Sequence, residues 1–147
     1  MKKILVIFTA LVFINTNLKA QSIKIVDALS IMGKDTSGLK AWAKSRGYQS
    51  KPSQVSDFLH FVYATSVGTQ ELDIAVKNRK INAISWAEHL MYISVLKGDA
   101  DMLNGFIMKP QVNSKVLSFE NSQKHLILNL IIKEDANQIM IVIGRKQ

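Results

Sequence analysis

The stretch Leu126-Ile127-Leu128-Asn129-Leu130-Ile131-Ile132-Lys133, then Glu134-Asp135-Ala136-Asn137, then Gln138-Ile139-Met140-Ile141-Val142-Ile143, decides the fold. Two strand-length runs rich in Ile, Leu and Val, separated by polar turn formers, are the signature of an antiparallel hairpin. Side chains alternate across a strand, so Leu126, Leu128, Leu130 and Ile132 share one face while Ile127 and Ile131, with Asn129, share the other. Ile139, Ile141 and Ile143 likewise oppose Met140 and Val142. Both faces are apolar. A sheet covered by helices on one side normally shows polar residues on the other. If helices cover Leu128, Leu130 and Ile141, the face of Ile127, Ile131, Met140 and Val142 needs a cover of its own: a partner, a second copy, or the curl of the sheet. Those four residues are the candidate interaction face.

Upstream, Leu90 to Leu96 carries helical periodicity, Lys97-Gly98-Asp99 reads as a break, and Asp101 to Met108 reads as a second short helix ended by Pro110. Val116 to Phe119 reads as an edge strand. The first half follows the same plan. Ile25, Ala28, Leu29 and Met32 recur at helical spacing, Gly33 interrupts, Asp35-Thr36-Ser37 marks a new N-cap region, and Leu39, Trp42 and Ala43 resume the apolar face until Gly47. From Phe58 to Tyr63 the composition turns aromatic and β-branched, and Leu72, Ile74 and Val76 then alternate with Asp73, Ala75 and Lys77. Asn78-Arg79-Lys80 makes a turn, and Ile81 to Trp86 returns with Ile84 and Trp86 on one face.

Sliding the chain by 64 residues sets Ser30 against Ser94, Asp35 against Asp99, Leu39 against Leu103, Trp42 against Phe106, and Ser50-Lys51 against Ser114-Lys115. Identities are few, and the matching order of elements carries the reading: repeats at 22–85 and 86–147 within a single domain of residues 21–147. Two helix-helix-antiparallel-strand units laid side by side give one continuous sheet with helices packed on a face, an α+β fold. That element order resembles the tandem helix-and-sheet repeat of the β-lactamase inhibitory protein and of small envelope proteins that share its layout. The resemblance spans most of the chain after residue 20 and rests on element order alone; the disulfides of such inhibitors are missing and no functional residue carries over. It implies a binding protein rather than an enzyme.

Lys2 and Lys3, the apolar run Ile4 to Ile14, and Leu18-Lys19-Ala20 read as an export signal over residues 1–20, with Gln21 opening the mature chain. The run is shorter than the roughly 20 apolar residues of a membrane span, so the protein is expected to be periplasmic or secreted rather than membrane-spanning. The chain carries 19 Lys and Arg against 11 Asp and Glu; losing Lys2, Lys3 and Lys19 with the signal leaves 16 against 11, a net charge of about +5. On an exported protein so mild an excess points to anionic envelope surfaces or acidic partners and away from nucleic acid. There is no cysteine. Stability must therefore come from the core alone, and no lipid can be attached to an N-terminal cysteine.

Catalytic chemistry has little to work with. No G-x-S-x-G elbow surrounds a serine. His60, His89 and His125 lie far apart in three elements, and only Glu88 adjoins one of them, pointing away as adjacent residues do. No metal or cofactor is expected. Asp99-Ala100-Asp101-Met102-Leu103-Asn104-Gly105 is the one calcium-like run, but Leu103 at the fifth position, Asn104 at the sixth and Pro110 at the twelfth do not suit an EF-hand loop. Asp99 and Asp101 read instead as caps of a short helix. Trp42, flanked by Lys40 and Lys44, reads as a core residue, the alternative being a platform for a sugar or an anionic headgroup. Lys77, Arg79 and Lys80 read as solvated turn charges.

The sequence thus reads as an exported, non-catalytic interaction protein of the bacterial periplasm or cell envelope, which binds a protein partner or a second copy through its apolar sheet face. A small secreted hydrolase or metal-dependent enzyme, with groups that assemble only in the fold, is the alternative. Replacing Leu5 and Val6 with charged residues is expected to leave uncleaved protein in the cytoplasm, scored by N-terminal sequencing of cytoplasmic and exported fractions. Unmutated protein accumulating in the cytoplasm with Met1 intact would overturn the compartment.

Overall fold

In the computed structural model, residues 23–53, 55–65, 68–111 and 114–146 are described; residues 1–20, read above as an export signal, lie outside them. The fold is α+β. Helix α1 is Ile25–Ile31, a 3-10 turn spans Thr36–Gly38, and α2 is Leu39–Ser45. Strands β1 (Gln49–Lys51), β2 (Phe58–Thr65), β3 (Gly68–Lys77) and β4 (Lys80–His89) follow. A 3-10 turn at Leu90–Tyr92 leads into α3 (Ile93–Asp101). Then come β5 (Ile107–Met108), β6 (Val116–Asn121), β7 (Leu126–Lys133) and β8 (Gln138–Arg145). All eight strands form one antiparallel sheet in the order β1-β2-β3-β4-β8-β7-β6-β5, so β4 and β8 meet at its centre.

Register stacks the core in rows across the strands. Phe61, Leu72, Trp86, Ile141, Leu130 and Leu117 are successive cross-strand partners on β2, β3, β4, β8, β7 and β6, and all are buried. Leu59, Ile74, Ile84, Ile143, Leu128 and Phe119 form a second row beside it. Against these rows pack Ile25, Ala28 and Ile31 of α1, Leu39 and Ala43 of α2, and Leu96 and Ala100 of α3, which close one core on one side of the sheet.

The Asn78-Arg79 turn takes positive φ at both residues (52° and 61°), the conformation whose twist suits a two-residue hairpin. Ile81 lies past the end of the β8 ladder, which stops at Ala83 opposite Gly144. The linker between α1 and α2 takes up that free edge: Gly33 N–H donates to Ile81 O (2.8 Å), Ile81 N–H to Lys34 O (3.0 Å), and Thr36 N–H to Arg79 O (3.1 Å). Asp35 caps the 3-10 turn by accepting from Ser37 N–H.

Several expectations for the second half are corrected. Lys97-Gly98-Asp99 is no break, since α3 runs through it to Asp101; burying Leu96 and Ala100 outweighs the roughly 1 kcal/mol that a helical glycine costs. Asp99 and Asp101 therefore stand at the C-terminal end of a helix rather than as N-caps, and Asp101 is paired with Lys97 one turn back (3.1 Å). Asp101 to Met108 is not a helix: the chain turns at Gly105 (φ 79°), where a side chain would run into the Asn121 amide, and emerges as β5. Val116 to Phe119 is not at the edge, because β5 pairs outside it.

The 64-residue offset also fails to superimpose like elements, for it sets the cap Asp35 against Asp99 inside α3. The strands keep a spacing of 58 instead: β2 begins at Phe58 and β6 at Val116, β3 at Gly68 and β7 at Leu126, β4 at Lys80 and β8 at Gln138.

Leu130, fully buried on β7 between Leu117 and Ile141, should be among the most costly positions to truncate. Leu130→Ala is expected to lose roughly 2 to 5 kcal/mol of unfolding free energy in urea titrations, with an unchanged denaturant slope.

Candidate interaction face

The side of the sheet away from the helices is built from three rows. The middle row runs His60, Asp73, Ser85, Val142, Asn129, Ser118. On one side of it lie Phe58, Ala75, Ala83, Gly144, Ile127 and Glu120 as successive partners. On the other lie Val62 and Glu71, then Ala87, Met140, Ile131 and Val116. The four residues singled out in the sequence thus come together on this face, and each is half-buried rather than enclosed. Leu128, Leu130 and Ile141 lie on the helix side, fully buried.

The face has two textures. Over β7 and β8 it is bulky and apolar. Over β4, with Ala75 of β3 beside it, the face is flat, because Ala75, Ala83, Ser85 and Ala87 present almost no side chain, while Glu71 and Asp73 stand up from the rest of β3. Gly144 continues the flat strip onto β8; a Cβ there would meet only Ala83 Cβ at an ordinary 3.8 Å, so the fold itself does not demand glycine.

Polar groups on this face are mostly committed to one another. His60 Nδ1 and Asp73 Oδ1 are 2.7 Å apart, and Ser118 Oγ donates to Asn129 Oδ1 at 2.7 Å. Glu120 takes Lys146 Nζ at 2.8 Å and Lys109 Nζ at 3.1 Å, and these, with the Ser122 hydroxyl, hold its carboxyl at about 2.

As catalytic groups the same residues are in the wrong order. Asp73 sits between His60 and Ser85, which leaves the serine two strands, roughly 10 Å, from the imidazole that would have to accept its proton. His89 Nδ1 accepts from Met91 N–H and its Nε2 lies 3.0 Å from the Asn137 amide, which ties it into the 3-10 turn before α3. His125 occupies a turn at positive φ between β6 and β7. Among the described residues no three His, Cys, Asp or Glu side chains gather as a metal site, and no helix is long and apolar enough to cross a membrane.

Trp42 packs against the core while the Arg46 guanidinium lies 4.4 Å above its ring, held by Asp27 at 3.1 Å, so the stacking surface a sugar would need is covered. A cleft of about 190 Å³ beside it is lined by Ile31, Leu39, Trp42 and Ile81, below the 300 Å³ or more of ordinary ligand sites. The Trp42 N–H offers this cleft nothing, being buried and without a partner.

Sequence reasoning treated Glu88 only as the neighbour of His89 and missed its burial. Ile84, Trp86 and Glu88 alternate onto the core side of β4, so the carboxyl is 8% exposed beneath the helices. The step of two from Trp86 was the available signal. Gln70 Nε2 donates to Glu88 Oε1 (3.0 Å) and to Ala87 O (2.8 Å), and Tyr48 OH donates to Gln70 Oε1 (2.9 Å). Burial pushes the Glu88 carboxyl up to about 7 and outweighs the opposing pull of Gln70 and of the nearby Trp86 indole, whose N–H forms no hydrogen bond of ordinary geometry.

Compared with known proteins, the chain matches no family model, no curated protein and no solved structure.

A raised folded-state value for Glu88 makes the native state the better proton binder. Its contribution is therefore complete below the unfolded value near 4.5 and fades as pH rises to about 7. Stability is expected to fall by roughly 3 kcal/mol across that window and then to level off. Glu88→Gln, measured by urea unfolding at pH 5 and pH 8, should remove most of the decline.

Proposed function

We propose that this is an exported, non-catalytic binding protein of the periplasm or cell envelope and that the open sheet face is its contact. The observation that carries the proposal is the contiguous set Ile127, Ile131, Met140 and Val142, half-buried on the side of the sheet that none of the described helices covers. An apolar surface of this kind is a common mark of an interface. Its polar neighbours are partly paired already: His60 lies against Asp73, and Ser118 donates to Asn129, so a partner would have fewer groups left to satisfy. The hydrolase alternative gains no support from a histidine that meets one carboxylate and no nucleophile.

The mirrored strand order, with starts spaced 58 residues apart in each half, supports a tandem duplication laid out like the β-lactamase inhibitory protein. Export rests on the Lys2 to Ala20 pattern, and the basic excess suits a location near anionic envelope surfaces.

Ile131→Thr and Val142→Thr test the contact. Both should reduce capture of partner, or self-association, in affinity experiments with the mature protein while the melting temperature stays close to that of the parent. Equal loss of stability from these changes and from Leu130→Ala, in a strictly monomeric protein, would mean that the hairpin is buried on both sides within one chain.

A further inference from the structure

The geometry points to a second copy of this chain as the occupant of the open face, packed about a two-fold axis that runs along the seam between β4 and β8. This rests on the open face being a contact at all, and it adds which surface fits there. A rotation about an axis parallel to the strands keeps each row opposite its own equivalent and reverses the strand order within it. Bulky residues of β7 and β8 in one copy then lie on the flat strip formed by β4 and Ala75 in the other, with one such match in each of the three rows. Ile127 falls opposite Ala75, Val142 opposite Ser85, and Met140 opposite Ala87. Near the axis itself Gly144 falls opposite Ala83, where the missing Cβ lets the two backbones approach.

Such pairing of large with small across facing positions is what lets two sheets interdigitate at a spacing of about 10 Å. In the middle row Asn129 falls opposite Asp73. Its amide oxygen is occupied by Ser118, leaving its NH2 free to donate to the Asp73 oxygen that His60 does not use. Two carboxylates are misfits: Glu71 falls opposite Ile131 in one outer row and must bend outward to water, and Glu120 falls opposite Phe58 at the end of the other, where Lys109 and Lys146 draw it to the rim.

The area is adequate. Six strands from β2 to β6, at about 4.8 Å per strand and 3.3 Å per residue, offer roughly 750 Å² of face. A stable dimer of ordinary size buries about 800 Å² per partner.

A size exchange across the axis provides the test. The mature protein is examined by sedimentation from nanomolar to high micromolar concentration, with melting curves confirming that each variant is folded. The parent should dimerise, and Ile127→Ala should weaken the dimer roughly tenfold or more. The double variant Ala75→Ile with Ile127→Ala should restore it, because the bulky residue returns to the same contact from the opposite copy. A folded double variant no tighter than Ile127→Ala would overturn the two-fold arrangement. A parent that stays monomeric throughout would also overturn it; the open face as a contact would survive only if Ile131→Thr still impaired capture of a different partner.

Discussion

The pairing of β4 with β8 is the interaction on which the rest of this structure depends. Seven register pairs, from Ala83 with Gly144 to His89 with Gln138, join residues that lie between 49 (138 − 89) and 61 (144 − 83) positions apart in sequence. Without that ladder the chain would hold two four-stranded sheets, each with an exposed edge of backbone donors and acceptors and each too small to enclose its own helices. With it, Trp86 lies beside Ile141 and Ile84 beside Ile143, so the residues that bury best sit where the two halves meet. The closure is long-range, and its loop entropy is recovered only once both hairpins are in place. The centre of the sheet is therefore the part that holds the others.

Much of this was legible in the sequence. The final hairpin, the Asn78-Arg79 turn, the helix entry at Asp35 and the division of β7 and β8 into two faces all follow from period-two alternation and turn chemistry, which are local signals. The misread elements fall between Lys97 and Phe119. Gly98 reads as a stop, yet it lies within α3 because Leu96 and Ala100 on either side of it are buried. Gly105 reads as helical by composition, yet its left-handed conformation and the neighbouring Asn121 amide turn the chain into β5. Tertiary packing decides both positions, and no window of sequence contains it. The same holds for the site. The bulky half of the open face is one hairpin and can be read directly, whereas the flat half is scattered over Ala75, Ala83, Ser85 and Ala87, small residues that signal nothing until register aligns them.

Glu88 shows a related limit from the energetic side. A strand that alternates correctly still carries one acid into the core, where Gln70 and Tyr48 form a chain of donors above it. An aliphatic residue there would avoid the desolvation cost, so the site trades stability at neutral pH for a polar group under the helices. The open face makes the opposite choice, keeping its polar groups paired and its apolar groups half-covered.

Both margins of the sheet are very short: β1 contributes three residues and β5 two, and the strands inside them, β2 and β6, are otherwise much longer. A sheet grows into fibrils by adding strands along a free margin, and here almost no margin is on offer. A further strand added at either outermost strand would find only three residues on β1 and two on β5 to pair with. The stubby ends thus guard an aggregation-prone composition, with its run of Ile and Leu near the C-terminus, against open-ended growth along the sheet.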